Sequence, residues 1–457
     1  MTEQEILLDI SKKELEFGCY EAKTNGFPLY ILVRRDIRDK ILTKMGGPFM
    51  ETRSVIDKKS VIPSAIKSLW QLLLLCLSGR KVSIVFNAFP RVEKIQGIYI
   101  EKFTDPIVTQ SQLCDSCIIF DQGRAGVHPK PRLNQDNIIY SESIFILAKF
   151  FSFFFSFYYY RKYKEEFEKT YLSIEQAFGD VLGKKELYKS LILKLCMICL
   201  VKKVLKKISA KAVVGPARDY QTVLFIAAHK LGIKAYELQH GITYGETTMY
   251  SGYRDPVSMP DFFLAFGDNN PWDVYGIDKE RIINIGWALN DYIKDIPKQE
   301  HYNTNDVLVV SDPEITDAII KATKFLADNN KESIFYFRPH PHEVLSKVHL
   351  DIISNTNNIM IQDKNINISV VLQGFNHIIG ENSTVLYEAL SVNKKVGRLF
   401  FDGLHPHYLE ETDKDCFWDI RNQEDFKKFL NDNISAKKDK SIYSNFNKDL
   451  FCKTIGL

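Results

Sequence analysis

Three short runs place ionisable or hydrogen-bonding side chains directly after strand-like segments. The first is Glu237-Leu238-Gln239-His240-Gly241. Gly241 permits a tight turn. A histidine projecting from it titrates near neutrality and can take a proton from an attacking hydroxyl, with Gln239, Glu246 and Asp255 as further acceptor-side candidates. The second is Phe337-Arg338-Pro339-His340-Pro341-His342-Glu343. Its prolines stiffen the turn and remove backbone donors, while Arg338, His340 and His342 can surround a phosphate with cationic or N–H donors. His-x-His with a carboxylate also suits zinc, but no further ligand set accompanies it, and no metal is expected. The third runs from Gly380-Glu381-Asn382-Ser383-Thr384 to Glu388. Asn382 or Ser383 is a natural N-cap, and a helix start with free N–H groups and hydroxyls is an anion site. Glu388, about one turn further on, can reach ribose hydroxyls, with Glu381 beside it. Each run has a plainer reading: a histidine satisfied by backbone, a rigid surface turn, and a helix whose Ser383 serves only itself.

The elements that must hold these runs alternate between strand and helix. Strand-like runs fall at 29–33, 82–86, 117–120, 212–215, 234–238 and 262–266. The clearest βαβ unit spans 203–241, where a strand, a turn, a helix to His229 and a second strand imply parallel pairing. A second series begins near 306, with strands at 306–310, 333–337, 359–362, 377–380 and 395–399 and a helix at 384–391 between the last two. Both series read as doubly wound α/β, whose ligands bind at the carboxyl ends of the strands. A polar, poorly periodic stretch divides them. The expected domains are 1–290 on the acceptor side, a linker at 291–305, and 306–457 for the nucleotide sugar. Neither a Walker A loop nor a G-x-G-x-x-G run is present, which argues against a P-loop NTPase or an ordinary NAD dehydrogenase.

Taken in order, the three motifs resemble those of GT-B-fold transferases of bacterial surface polysaccharides. These include capsule and O-antigen type glycosyltransferases, bacterial sialyltransferases, and the CDP-glycerol glycerophosphotransferases that build teichoic acid. The resemblance covers roughly residues 205–400. It implies two facing Rossmann-like lobes with parallel sheets, a nucleotide-sugar donor as substrate, a growing glycan as acceptor, and no resident cofactor. It further implies His240 as base, His340 as stabiliser of the departing phosphate, and Arg338, Asn382, Ser383 and Thr384 as donor phosphate contacts. Gln239 stands where the teichoic-acid motif has Trp. Glu381 and Glu388 have six residues between them, where retaining GT-B enzymes often have seven. Donor identity and anomeric outcome stay open, as do an alditol-phosphate transferase, a nucleotide-sugar epimerase and a non-catalytic assembly protein.

The 457-residue chain is 45% hydrophobic and 26% charged, which is ordinary globular composition and excludes disordered and collagen-like classes. Its net charge of +3 gives no electrostatic basis for binding nucleic acid. The acidic first residues, with no basic region ahead of an apolar run, read as a cytosolic chain without a signal peptide. Eight cysteines in so long a chain read as reduced thiols rather than a disulfide framework. The unusual quantity is aromatic content, 12%, densest in Phe150-Phe151-Ser152-Phe153-Phe154-Phe155-Ser156-Phe157-Tyr158-Tyr159-Tyr160. Residues 144–164 are expected to be a buried helix of the large first lobe. An interfacial helix at the inner face of the plasma membrane is the main alternative, and a spanning helix the lesser one.

Overall fold

The computed structural model describes residues 3–45, 58–123, 126–242, 247, 249–253, 255–268, 275–294, 302–341, 343–407, 411–432 and 442–457. Two parallel sheets dominate it. The first has seven strands in the spatial order Ile282–Asn284, Phe262–Ala265, Lys234–Leu238, Ala212–Pro216, Ile84–Asn87, Cys117–Asp121, Ile138–Tyr140. The second has six, in the order Ile359–Ile361, Phe335–Arg338, Val307–Val310, His377–Gly380, Lys395–Leu399, Trp418–Ile420. Numbered along the chain, both sheets run 3-2-1-4-5-6, the first adding a seventh strand beyond the sixth. The order therefore reverses between strands one and four in each, which is where open α/β sheets bind ligands.

These strands read as near-continuous apolar runs because both faces of each sheet are covered. Val85, Ile118 and Val213 face one core, while Ile84, Phe86, Ile119 and Val214 face the other. Val307 and Val309 alternate in the same way with Leu308 and Val310. One core continues from the first sheet to the second, so the lobes share packed side chains as well as polar contacts. Asn290 Nδ2 donates to Ser391 Oγ (2.8 Å), and Gln373 Nε2 donates to the Ile293 carbonyl (2.9 Å).

The chain end returns to the first lobe. The Ser444 N–H donates to the Phe266 carbonyl, the Trp287 N–H to the Ser444 carbonyl, and the Asn447 N–H to the Ile285 carbonyl. Gly286 has φ +78, and a Cβ there would lie 2.0 Å from the Asn445 carbonyl oxygen. Only glycine lets the returning segment approach so closely.

Three expectations change. Residues 29–33 are not a strand: Leu29–Leu32 is a short 3-10 helix leading into Arg34–Lys44. A short run buried on all sides carries no periodicity to separate the two. A hairpin, Val92–Ile95 with Ile98–Glu101, also went unread; its loop, Gln96 and Gly97, has positive φ at both positions (48 and 83), as a tight two-residue hairpin turn requires. Finally, helix Glu142–Lys162 is not buried: only Ser143, Ile144 and Ala148 are interior, and Phe153 and Phe157 are about three-quarters exposed. Continuous apolar character reports low polarity, and here it does not coincide with burial.

Candidate functional site

The turn after strand Lys234–Leu238 carries Gln239 and His240. Gln239 is fully buried and builds the turn itself. Its Oε1 accepts from Phe266 N (2.8 Å), and its Nε2 donates to the Gly241 carbonyl (3.1 Å). His240 instead faces an aromatic cradle at the switch point of the first sheet. The Phe103 ring stacks on the imidazole with centroids 5.1 Å apart, and Phe89 meets it edge-on at 4.5 Å. Phe89 also packs on Tyr220, whose ring lies 3.4 Å beneath the Arg35 guanidinium. Burial, then the charges of Lys102, Arg91 and Arg35, push the imidazole down to about 3. His240 Nε2 is buried and has no hydrogen-bond partner among the described residues. The ring is neutral, and Nε2 accepts a proton in the tautomer that carries hydrogen on Nδ1, as a weak base until the charge around it changes.

Across the cleft stands Glu388, on helix Thr384–Ser391 of the second lobe. Burial pushes its carboxyl up, Lys102 and Arg91 oppose that, and Glu93 adds to it. Burial, then Arg91, pushes the Lys102 ammonium down, against the pull of Glu388 and Glu93. Lys102, Arg91 and Glu93 all come from the hairpin and its flanks, so the hairpin delivers the first lobe's charges to the second. Glu93 is also bonded directly to the second lobe, accepting from Asn367 Nδ2. Sequence reasoning passed over Phe89, Arg91, Lys102 and Phe103. Their signal was a Phe-Pro-Arg turn after the strand at 84–87, followed by two short runs, 92–95 and 98–101, joined by Gln96-Gly97.

The His-Pro turn follows strand Phe335–Arg338. Glu343, fully interior, pins it: Oε2 accepts from His340 N (2.7 Å), while Oε1 accepts from Ser311 Oγ (2.9 Å) and Thr316 Oγ1 (2.8 Å). Lys364 Nζ donates to the carbonyls of Pro341 (3.3 Å) and Glu343 (3.1 Å) from the other side. Arg338 directs its guanidinium to the carbonyls of Asp363 (2.9 Å), Lys364 (3.3 Å) and Ile366 (2.6 Å), and so holds the loop that Lys364 belongs to. Glu343→Ala would strand two hydroxyls and one N–H in the interior. Urea denaturation is expected to show a loss of about 2–4 kcal/mol.

The third motif divides its labour. Ser383 caps its own helix, accepting from Val385 N (3.3 Å), and Thr384 is exposed at the helix start. Glu381 Oε1 accepts from His405 N (2.6 Å); Asn382 Oδ1 accepts from His407 N (2.9 Å) and from Arg398 Nη1 (3.0 Å). Both residues thus anchor the 405–407 loop. Asp255 is buried and closes a local turn, accepting from Ser258 N (3.2 Å); no hydrogen bond or ion pair joins it to His240 among the described residues. Glu246 and His342 lie outside the described residues.

No family model matches the chain, and no curated protein matches it. Several solved structures are similar to it. UDP-GlcNAc 2-epimerase from Methanocaldococcus jannaschii is 14% identical with a TM-score of 0.46, covering 82% of this chain and 99% of that one. A putative UDP-N-acetylglucosamine 2-epimerase from Listeria monocytogenes is 9% identical with a TM-score of 0.49, covering 82% and 94%. The glycosyltransferase SnogD from Streptomyces nogalater is 11% identical with a TM-score of 0.40, covering 78% and 92%.

Proposed function

We propose that the chain transfers a sugar from a nucleotide-sugar donor to a bacterial surface polysaccharide or lipid-linked glycan, without a metal. The observation that carries this reading is the unpartnered, neutral His240 Nε2 at the carboxyl ends of one sheet, with Lys102 beside it and Glu388 opposite on the other. In an inverting transfer the acceptor hydroxyl attacks the anomeric carbon and His240 Nε2 takes its proton. The bond from that carbon to the donor phosphate breaks, and a nucleoside diphosphate leaves with the electron pair. His340 and the helix start at Ser383 and Thr384 stabilise the charge that grows on the phosphate. Arg338 and Asn382 act through the loops they hold, and Glu388 binds the ribose. Burial is the larger cause of the depression at His240, and a diphosphate near Lys102 and Arg91 would offset the repulsion that adds to it, raising its basicity once donor is present.

The raised Glu388 carboxyl favours a second reading, a nucleotide-sugar epimerase that moves a proton within the donor. The two differ in what they need: a transferase turns over only with a glycan acceptor, an epimerase without one. Thermal melts with CMP, CDP, UDP and GDP test the common premise. One of these at saturating concentration is expected to raise the melting temperature by a few degrees, and a chain indifferent to all four would overturn both readings.

A further inference from the structure

Two surface helices of the first lobe turn their apolar sides outward. In Lys58–Leu77, the residues Ile62, Ile66, Trp70, Leu73 and Leu77 recur at steps of three and four, and all are exposed. The opposite side, with Ser64, Ser68, Leu72 and Leu75, faces the protein. Ser68 Oγ donates to the Tyr140 carbonyl and accepts from Ser143 N (2.8 Å). Gln71 donates to the Ile138 carbonyl (2.9 Å) and accepts from Tyr140 N (3.0 Å). Those side chains satisfy the open edge of Ile138–Tyr140, the last strand of its sheet. Leu72 and Leu75 also face inward and join the core. A surface helix in water buries its apolar residues and exposes polar ones; this helix keeps a second apolar stripe outside.

The aromatic helix Glu142–Lys162 packs beside it and extends the same surface with exposed Phe150, Phe153, Phe154 and Phe157. After Glu142 no acidic residue occurs until Glu165, and none occurs from 58 to 92. The exposed charges on the aromatic helix and its end are Lys149, Arg161, Lys162 and Lys164, all cationic.

We propose that these two helices form a docking face for an anionic lipid bilayer, lying in the plane of its headgroup layer. The exposed apolar stripe and the exposed aromatic side chains supply the apolar contact, and the acid-free, cationic rim supplies complementarity to anionic headgroups. The aromatic helix has the length to span a bilayer, but both of its ends belong to one lobe. Ser143 and Ile144 are buried at its start, and at its end the Tyr163 hydroxyl accepts from Asn25 Nδ2 (3.0 Å). A second copy is the poorer occupant, since face-to-face pairing would set cationic rims against each other.

The inference is independent of the proposed reaction and is tested without substrate. The full chain is floated with vesicles of phosphatidylcholine alone and with equal parts of phosphatidylcholine and phosphatidylglycerol. Flotation is expected with the anionic vesicles and is expected to weaken at high salt. The double substitution Phe153→Glu with Phe157→Glu should reduce the floated fraction by about tenfold. A thermal melt on the same samples confirms that the variant is folded, since neither side chain supports the core. No flotation of the wild type on anionic vesicles would overturn the proposal. So would equal flotation of a folded double variant, or a wild-type dimer that the double variant abolishes. Nucleotide-dependent melting measured alongside separates this outcome from that of the donor-binding reading.

Discussion

Replacing His240 with glutamine is expected to lower turnover by about 10²–10⁴-fold while leaving the nucleotide-induced rise in melting temperature in place. The side chain fills a similar space between Phe89 and Phe103 but cannot accept the acceptor's proton as an imidazole does. A variant that keeps near-wild-type turnover would remove His240 from the mechanism. The pH dependence gives a second readout with a definite sign. Folded His240 sits at about 3, below its ordinary 6.5. Between those values the unfolded chain binds a proton that the folded chain refuses, so stability is complete above the unfolded value and is lost as pH falls from it toward about 3. Acidification through that window should destabilise the wild type more than His240→Gln, as read by urea midpoints. Saturating UDP, or whichever nucleotide raises the melting temperature, should shift the His240 resonance toward a higher pKa in histidine-selective NMR. A resonance that titrates near 6.5 in the free protein would show that the cradle does not desolvate the ring.

The second large effect is expected at His340. Its turn is held from below by Glu343 and from the side by Lys364, so the backbone stays in place when the imidazole is removed. His340→Ala should therefore lower kcat by about 10²–10³-fold with a smaller change in donor KM, the pattern of a group that acts on charge developing in the transition state. A loss confined to KM would make His340 a ground-state contact with the donor. Unchanged kinetics would remove it from the site. The comparison with Glu343→Ala is informative, because that substitution should reduce stability and turnover together.

Much of the second lobe was legible along the chain. Its strands are short apolar runs separated by single helices, and each motif sits where a strand ends. The expected strands at 306–310, 333–337, 359–362, 377–380 and 395–399 coincide with observed ones to within two residues. The first lobe was less readable. Strands Ile138–Tyr140 and Ile282–Asn284 have three residues each and derive their existence from pairing with longer neighbours, a contribution that no local pattern records. The hairpin at 92–101 has a local signature in its Gln-Gly turn, but its importance lies in where it points.

The sequence alone determined that two parallel α/β series follow one another, that histidines 240 and 340 lie just past strand ends, and that an acid-free aromatic segment interrupts the first series. Those are properties of residue type and spacing. The tertiary structure decided which side chains are committed and which face the cleft. Arg338 and Asn382 read in a line as phosphate ligands, yet their donors and acceptors are engaged with neighbouring loops that lie 25 or so residues away. Phe89, Phe103 and Lys102 belong to none of the three motifs, yet they surround His240 because the strand order sets 84–87 beside 212–216 and 212–216 beside 234–238. The orientation of helix Lys58–Leu77 was likewise a tertiary matter: Ser68 and Gln71 meet the open sheet edge while Leu72 and Leu75 enter the core, which leaves the stripe from Ile62 to Leu77 outside.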